Sequence, residues 1–551
     1  MSEHIRITKN RREFIQDAFC GFGTIAMASL AQRERLRAAG INPLAAKPPH
    51  IANPKAKAMI FLFMAGGPSH IETFDPKPLL NKLHGQPRPK EFGEAKYQFV
   101  KKTATLLGSK RTFKKYGQSG IEVSDLFPHT SQMIDDIAVL RSCHGNMVVH
   151  SAAQYELMTG RIVPGFPSMG SWIVYGLGSE AESLPSYVVM PDPDGALEAG
   201  QPMYTHGFLP AVYQPTMFRA GKTPVLNLKL PEGVSMATRR RTLDLIQRLN
   251  QANIHGEDNE FEARINAYDL AFKMQTEAPE VLDISNEPQE TLDLYGVGQE
   301  KTDDYGRRCL LARRLVEKGV RFICVVSGGG PGNLQWDAHG DVEENHIRMA
   351  GETDKPVAGL LTDLKRRGML DETLVLWGGE FGRSPEGESR SEKVAVGRDH
   401  HNLGFSMWMA GGGVKGGQVF GATDDIGLRA VENPVHFRDI HTTILHQLGL
   451  DQDELSYLHL GRKERLTQVH GSVIKQIVSW TASLPKLHKS PRIKPRPFPS
   501  VAAVWIQIPQ YAIVGAAPPC PPAAGLRTLL ESGATPSKTP QSPTIPIVKS
   551  S

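Results

Sequence analysis

Carboxylates and imidazoles recur in this chain in four short polar clusters that follow or adjoin apolar runs: GGPSHIETFD after AMIFLFMA, WDAHGD after RFICVVSGGG, GGEFGR after TLVLW, and GRDHHN. Side chains of these types hold divalent cations and move protons. In an open α/β sheet the ligand sits beyond the carboxyl ends of the strands, so clusters placed there share one pocket. That composition suits a metal site. The candidate ligands are His70, Glu72 and Asp75 in the first cluster, Asp337 and His339 in the second, Glu380 in the third, and Asp399, His400 and His401 in the fourth. Asp337 and His339 share one side of an extended segment because side chains alternate with period two. Two adjacent imidazoles at 400 and 401 on a glycine-flanked loop are natural ligands for transition metals. Ordinary readings stand beside these: GGPSH as a glycine turn with Asp75 and Pro76 opening a loop, and Asp337 with His339 as a hydrogen-bonded loop pair.

The elements that must position these residues alternate between helix and strand. From Tyr305 to Lys318, Leu310, Leu311, Leu315 and Val316 form one helical stripe that stops at Gly319 and runs into the strand VRFICVV. The next unit repeats the pattern: Asp354 caps, Pro356 sits in the first turn, Val357, Leu360, Leu361 and Leu364 form the stripe, and Gly368 ends it before TLVLW. Two such units predict an α/β fold with a central, mostly parallel sheet and helices on both faces. AVLRSC, SYVVM and FSMWMA are further strand candidates, and the charged stretch from Met236 to Gln275 reads as helices on the flank or as a small cap. GGGVKGG at 411–417 lacks Walker spacing and reads as a strand-to-turn connection, with a substrate role open to Lys415.

The bulk properties bound the function class. A chain of 551 residues with 40% hydrophobic and 22% charged residues buries a large core, which excludes disorder throughout. The net charge of +5 comes with no nucleic-acid-binding motif, so no nucleic-acid partner is expected. Five cysteines without a CxxC pair give neither a zinc ribbon nor a disulfide framework, and Cys309 and Cys324 lie in apolar segments as buried thiols. Arg11 and Arg12, followed by Phe14 and the uncharged stretch from Ala18 to Ala31, resemble a Tat signal. That stretch is too short for a stable membrane span. The organisation expected is a signal and linker over 1–46, the α/β domain over 47–478, whose family resemblance is given below, and a proline-rich, disordered tail over 479–551.

Taken together, GGPSHIETFDPKP, HSAAQYELMTGR, WDAHGD, LWGGEFGRSP, GRDHHN and WMAGGGVKGG resemble the bacterial family known as domain of unknown function 1501, which is sulfatase-like. The resemblance implies the alkaline phosphatase and sulfatase superfamily fold, with one or two divalent ions (Zn, Ca, Mg or Mn) at the strand ends. DIHTTILHQLGL, from Asp439 to Leu450, is similar to the superfamily's late helix. Two departures stand out. Where sulfatases carry C-x-P-x-R before TGR, this chain has His150 and Ser151, so no formylglycine forms; Ser151 becomes the candidate nucleophile, or a helix cap, and His150 a base or ligand. The superfamily's DHG is replaced by Glu380, Phe381 and Gly382, after which Arg383 is a candidate for an ester oxygen or for a structural ion pair.

The function implied is an exported, metal-dependent hydrolase of sulfate or phosphate esters on a small molecule or glycan. The alternatives are a non-catalytic scaffold of the same fold and a metal-dependent isomerase or mutase. Export by the Tat machinery implies a periplasmic or cell-envelope protein. Changing Arg11 and Arg12 together to Lys is expected to hold the folded protein in the cytoplasm, as fractionation and immunoblotting would show; unaltered export would remove the Tat assignment.

Overall fold

The structure, a computed structural model, describes residues 42–479 apart from 95–96, 98, 102, 222, 226–227, 229, 231, 253–258, 331–334 and 389–395. The signal expected over the N-terminal residues and nearly all of the proline-rich tail lie outside the described residues.

Among the described residues, the central sheet has nine strands. In chain order they are β1 (Ala58–Met64), β2 (Ile137–His144), β3 (Tyr187–Met190), β4 (Thr216–Met217), β5 (Phe322–Ser327), β6 (Thr373–Gly378), β7 (Phe405–Ala410), β8 (Gln418–Phe420) and β9 (Val435–His436). In space they run β8, β2, β7, β6, β1, β5, β3, β4, with β9 also paired to β2. All pairs are parallel except those of β7, which runs antiparallel to β2 and β6.

Every residue of AMIFLFM in β1 is buried, as a strand covered on both faces requires. Alternate residues face two separate cores. Met59, Phe61 and Phe63 pack in one with Leu157 of α1 (His150–Thr159), Trp172 and Ile173 of α2 (Met169–Leu177), and Ile440 and Ile444 of a late helix, Phe437–Gln447. Ile60, Leu62 and Met64 pack in the other with Val281 of α3 (Asn259–Leu282), Leu310 and Leu315 of α4 (Asp303–Glu317), and Leu360 and Leu364 of α5 (Val342–Arg366). Helices therefore cover both faces of a mostly parallel sheet, as the alternating pattern predicts. The late helix is α6.

AVLRSC, SYVVM and FSMWMA lie in β2, β3 and β7. The stretch from Met236 to Gln275 falls in Met236–Ala252 and α3. GGGVKGG joins β7 to β8, with Gly411, Gly412 and Gly413 all at positive φ. The helix expected to start at Asp354 differs. It begins at Val342, capped by Asp341, whose carboxylate accepts from Glu343 N (2.9 Å) and Glu344 N (3.1 Å), and Pro356 lies in its interior. Pro356 forfeits one backbone hydrogen bond there, a cost that the buried stripe outweighs. Asp354 does act as a cap, but for another turn. Its oxygens accept from His129 N and Thr130 N, each at 2.8 Å, at the start of the 3₁₀ segment Thr130–Asp136. No helix among the described residues is long and apolar enough to cross a membrane.

Because Asp354 is buried and satisfies two amides 224 and 225 residues away in sequence, Asp354→Ala is expected to lower stability by about 2 kcal/mol. Chemical denaturation measures this; a change below about 0.5 kcal/mol would show that water replaces the carboxylate.

Candidate metal centre

The register of the sheet brings the strand ends together. Met64 at the end of β1 pairs with Ser327 at the end of β5, and Phe63 with Gly378 at the end of β6. β2 runs parallel to these strands, and β7 enters the sheet beside the end of β2, Phe405 opposite Cys143. The segments after β1, β2, β5 and β6 and the segment before β7 thus share one edge. Close contact between two of them needs a glycine. Gly66 has φ +101°, and a Cβ there would lie 2.6 Å from Asp337 N and 2.8 Å from Trp336 N. Trp336 N donates to Ala65 O at 2.8 Å, stitching the post-β5 loop to the end of β1. His150 opens α1, which follows β2. His400 lies on the strand Gly397–His401, which pairs antiparallel with Gly382–Glu388 and sets His400 opposite Arg383.

Four side chains converge there: His150, Asp337, His339 and His400, with one ligand atom of each within 4.8 Å of all the others. Asp337 Oδ1 lies 3.0 Å from His339 Nε2, 3.1 Å from His400 Nε2 and 3.3 Å from His150 Nε2. The two nitrogens His339 Nε2 and His400 Nε2 face one another at 2.8 Å. The opposite nitrogen of each ring is engaged elsewhere. His150 Nδ1 lies 2.8 Å from Glu380 Oε1, His400 Nδ1 lies 2.7 Å from Val148 O, and His339 Nδ1 is bonded to Glu388. A carbonyl or carboxylate accepts only, so each Nδ1 carries a proton and, in the neutral ring, each Nε2 is a bare lone pair. Among the described residues, His150 Nε2 is buried and makes no well-formed hydrogen bond, Asp337 Oδ1 being its near neighbour. Lone pairs crowded around an anionic oxygen repel unless a cation lies among them. Imidazoles oriented through the far nitrogen by a carboxylate or carbonyl are the usual surroundings of a bound metal ion, so the residues present fit one.

Charge within the group follows from its surroundings. Burial opposes ionisation of Asp337, but Arg383, 2.6 Å away, and the three imidazoles outweigh it and hold the carboxyl well below the usual carboxylate range. Burial opposes charge on His150 too, yet Asp337 and Glu380 flank its ring and raise it to about 9. At His400 burial dominates, joined by repulsion from Arg383 and His150, and the pKa drops to about 3 despite Asp337. Phe381 packs against the rings of His150 (4.9 Å between centroids) and His400 (4.5 Å), while Phe99 meets His339 edge-on at 5.5 Å.

Of the residues singled out in the sequence, Asp337, His339, His400 and His150 meet. The others are placed differently. Glu380 does not join the four: its oxygens accept from His150 Nδ1, Gln154 Nε2 (3.1 Å) and Gly66 N (3.0 and 3.1 Å), so it orients the His150 ring. Arg383 is fully buried and donates to Gly66 O, Gly67 O, Arg398 O and Asp337, which makes it a strut rather than a hand offered to an ester oxygen. Asp399 accepts from Phe99 N (2.6 Å), Val100 N (3.2 Å) and His400 N (2.8 Å), and groups with His339 and Glu388. His70 and His401 are buried on Gly427 O and Leu428 O, and burial holds them at about 4 and about 3. Glu72 forms a buried ion pair with Arg398 at 2.7 Å. Asp75 binds Lys77 at 2.8 Å and accepts from Thr423. Ser151 follows His150 in the first turn of α1, half-buried; Val149, not Ser151, is the N-cap.

Residues 56–478 match the family described as "Protein of unknown function (DUF1501)". The chain belongs to that family. No curated protein matches the sequence. Solved structures that it resembles include Ps i-CgsB (11% identity, 72% of this chain and 73% of that one, TM-score 0.32). Two others are the PsFucS1 sulfatase from Pseudoalteromonas sp. (12%, 72% and 68%, 0.31) and the alkaline phosphatase from the Antarctic bacterium TAB5 (11%, 72% and 98%, 0.28).

Glu388 and Gln154 are the site residues that sequence reasoning missed. Gln154 stands four residues after His150, on the same helical face, and that spacing is a signal that could have found it. Glu388 has none, since only the hairpin turns it toward His339.

Metal uptake requires a bare Nε2 on His150, so an ion must displace the proton that this ring holds below about pH 9 in the metal-free fold. Being raised above the ordinary 6.5, that pKa also stabilises the metal-free fold below pH 6.5, an effect lost as pH rises through about 9. Affinity for Zn²⁺ is therefore expected to fall roughly tenfold per pH unit from 8 to 7, with about one proton released per ion. Calorimetry in buffers of different ionisation enthalpy measures this; pH-independent binding would remove His150 from the ligand set.

Proposed function

We infer that this protein is a metal-dependent hydrolase of sulfate or phosphate esters. The observation that carries the reading is the convergence of three Nε2 atoms on Asp337, with each Nδ1 already committed. His150, His339, His400 and Asp337 would hold the ion, and a donor set of three imidazoles and one carboxylate favours a transition metal such as zinc or manganese over calcium or magnesium. Such an ion supplies Lewis acidity toward a phosphoryl or sulfuryl oxygen.

The chain's own residues do the rest. Glu380, Glu388 and Val148 O fix the imidazole orientations, and Arg383 keeps Asp337 anionic. Phe381 and Phe99 shield the rings from water, which strengthens every electrostatic interaction inside. Ser151, which follows His150 in sequence, is the hydroxyl that would attack the phosphorus or sulfur; the ester's alcohol leaves with the hydroxyl's proton, and water then cleaves the seryl ester to release phosphate or sulfate. The rim carries exposed apolar side chains, Val149 at 49% and Phe99 at 41%, which fit the organic part of an ester. Support for export by the Tat route, and for residence in the periplasm or cell envelope, comes from the N-terminal sequence.

Metal content of the purified full-length chain, followed by a panel of phosphate and sulfate monoesters, tests the reading. His339→Ala is expected to lose the ion and all turnover. Ser151→Ala is expected to keep the ion and lose turnover by about 10³-fold or more. Turnover retained within tenfold in Ser151→Ala would assign the attack to water. A protein that takes up no divalent ion, or hydrolyses no ester when loaded, would contradict the proposal.

A further inference from the structure

The hairpin that follows α6 has strands Tyr457–His459 and Arg462–Glu464, joined by the two-residue loop of Leu460 and Gly461. Both loop residues have positive φ, 47° and 79°, the type I′ geometry that matches the twist of a hairpin. Asparagine and glycine enter that conformation readily, whereas a leucine is strained there because its Cβ crowds the backbone. Packing does not compensate the strain, since Leu460 is 88% exposed. A strained apolar side chain that packs on nothing in the fold points to a contact outside it.

The rest of the hairpin shows which way that contact faces. Tyr457 and His459 lie on the inner face, where the Phe208 ring stacks on both, at 6.1 and 4.6 Å between centroids. Leu458, between them, takes the opposite face and is exposed. Its partner across the hairpin is Lys463, exposed as well. Arg462, next to the loop, keeps 71% of its side chain in solvent, with Glu464 at 3.7 Å. A second apolar segment is tied to the same body. Arg161 pairs with Glu464 at 3.5 Å and donates to Arg465 O at 3.3 Å, and its guanidinium covers Phe166, which meets Phe208 at 5.9 Å. The loop held in this way carries Ile162 and Val163, both exposed.

We propose that the hairpin tip, Leu458 and Leu460 with Arg462 and Lys463, together with the loop at 162–163, is a docking surface for a membrane rich in anionic lipid. Leucines at such a tip enter the interfacial region of a bilayer, and the cations beside them meet the headgroup phosphates. Glu464, the acid of the hairpin itself, is buried and paired with Arg161, so it does not oppose an anionic surface. Size argues against a second copy of the chain as the occupant. Four apolar side chains present at most about 400 Å², roughly half of the ~800 Å² per partner that a stable dimer buries. A bilayer requires no matching surface, because its headgroups rearrange around a tip. The proposal is independent of the hydrolase reading.

The full-length protein would be sedimented with vesicles of phosphatidylcholine, alone or with an equal share of phosphatidylglycerol. Wild type, Leu460→Asn and the double variant Arg462→Gln, Lys463→Gln would be compared. Segments outside the hairpin are common to all three, so the differences read the tip. Wild type is expected to bind the mixed vesicles about tenfold more tightly than the neutral ones. Leu460→Asn is expected to weaken that binding about tenfold while holding or raising the thermal midpoint, since asparagine relieves the strained turn. The double variant is expected to lose about tenfold on mixed vesicles and to stay within about twofold on neutral ones. No binding, equal binding to both lipids, or binding that neither variant alters would overturn the docking surface. A lower thermal midpoint in Leu460→Asn would show that the leucine packs within the fold. A change of mass by light scattering in that variant without lipid would assign the tip to a second copy. Either result also overturns the proposal.

Discussion

A carboxylate that must stay ionised while largely out of water organises this structure. Asp337 is 9% exposed, and burying such a charge is costly unless it is paired and hydrogen-bonded. Arg383 supplies the pairing, and it is itself held by the carbonyls of Gly66 and Gly67 after β1 and of Arg398 on the hairpin. The loop after β1, the loop after β5 and the hairpin are therefore locked together through one guanidinium. The three imidazoles complete the surroundings of Asp337, and each is fixed in turn by an acceptor behind it. Removing Arg383 would leave an uncompensated buried charge, and the three segments would lose the contact that sets their spacing.

Outside this group, the same residue types serve as struts. Glu72 with Arg398 is a fully buried ion pair, and burial alone would push the Glu72 carboxyl up; the Arg398 guanidinium outweighs it. The pair anchors the strand that carries His400 two residues on. His70 and His401 bind the carbonyls of Gly427 and Leu428 and so fasten the turn at 424–429. Asp399 gathers the amides of Phe99 and Val100, which seats Phe99 against His339. Buried ion pairs of this kind add little net stability because desolvation offsets attraction, but they fix position. Positions at a site of converging lone pairs must be held closely, since a small shift of any ring would change how a cation is shared.

The sheet, its helices and the edge on which chemistry gathers were readable in the sequence because they follow from local periodicity. The all-buried run AMIFLFM, the stripe of Leu310, Leu311 and Leu315, and the polar clusters after each strand need no knowledge of distant contacts. Asp354 with Pro356 misled for the opposite reason. The pair has the local chemistry of a helix start, but the buried face of α5 extends back through Met349 and Ala350 to Val342, and tertiary burial overrides a proline's preference.

The sequence by itself determined which residue types stand at the strand ends, and thereby that carboxylates and imidazoles collect on one edge of a parallel sheet. Only the tertiary structure decided which of them converge. An imidazole presents a ligand atom according to what holds its other nitrogen, and those partners are remote: Glu380 for His150 at a separation of 230 residues, Val148 for His400 at 252, Glu388 for His339 at 49. His400 and His401 are adjacent in sequence and alike in chemistry. One turns to Asp337 and the other to Leu428 O, because neighbouring side chains on a strand point to opposite faces.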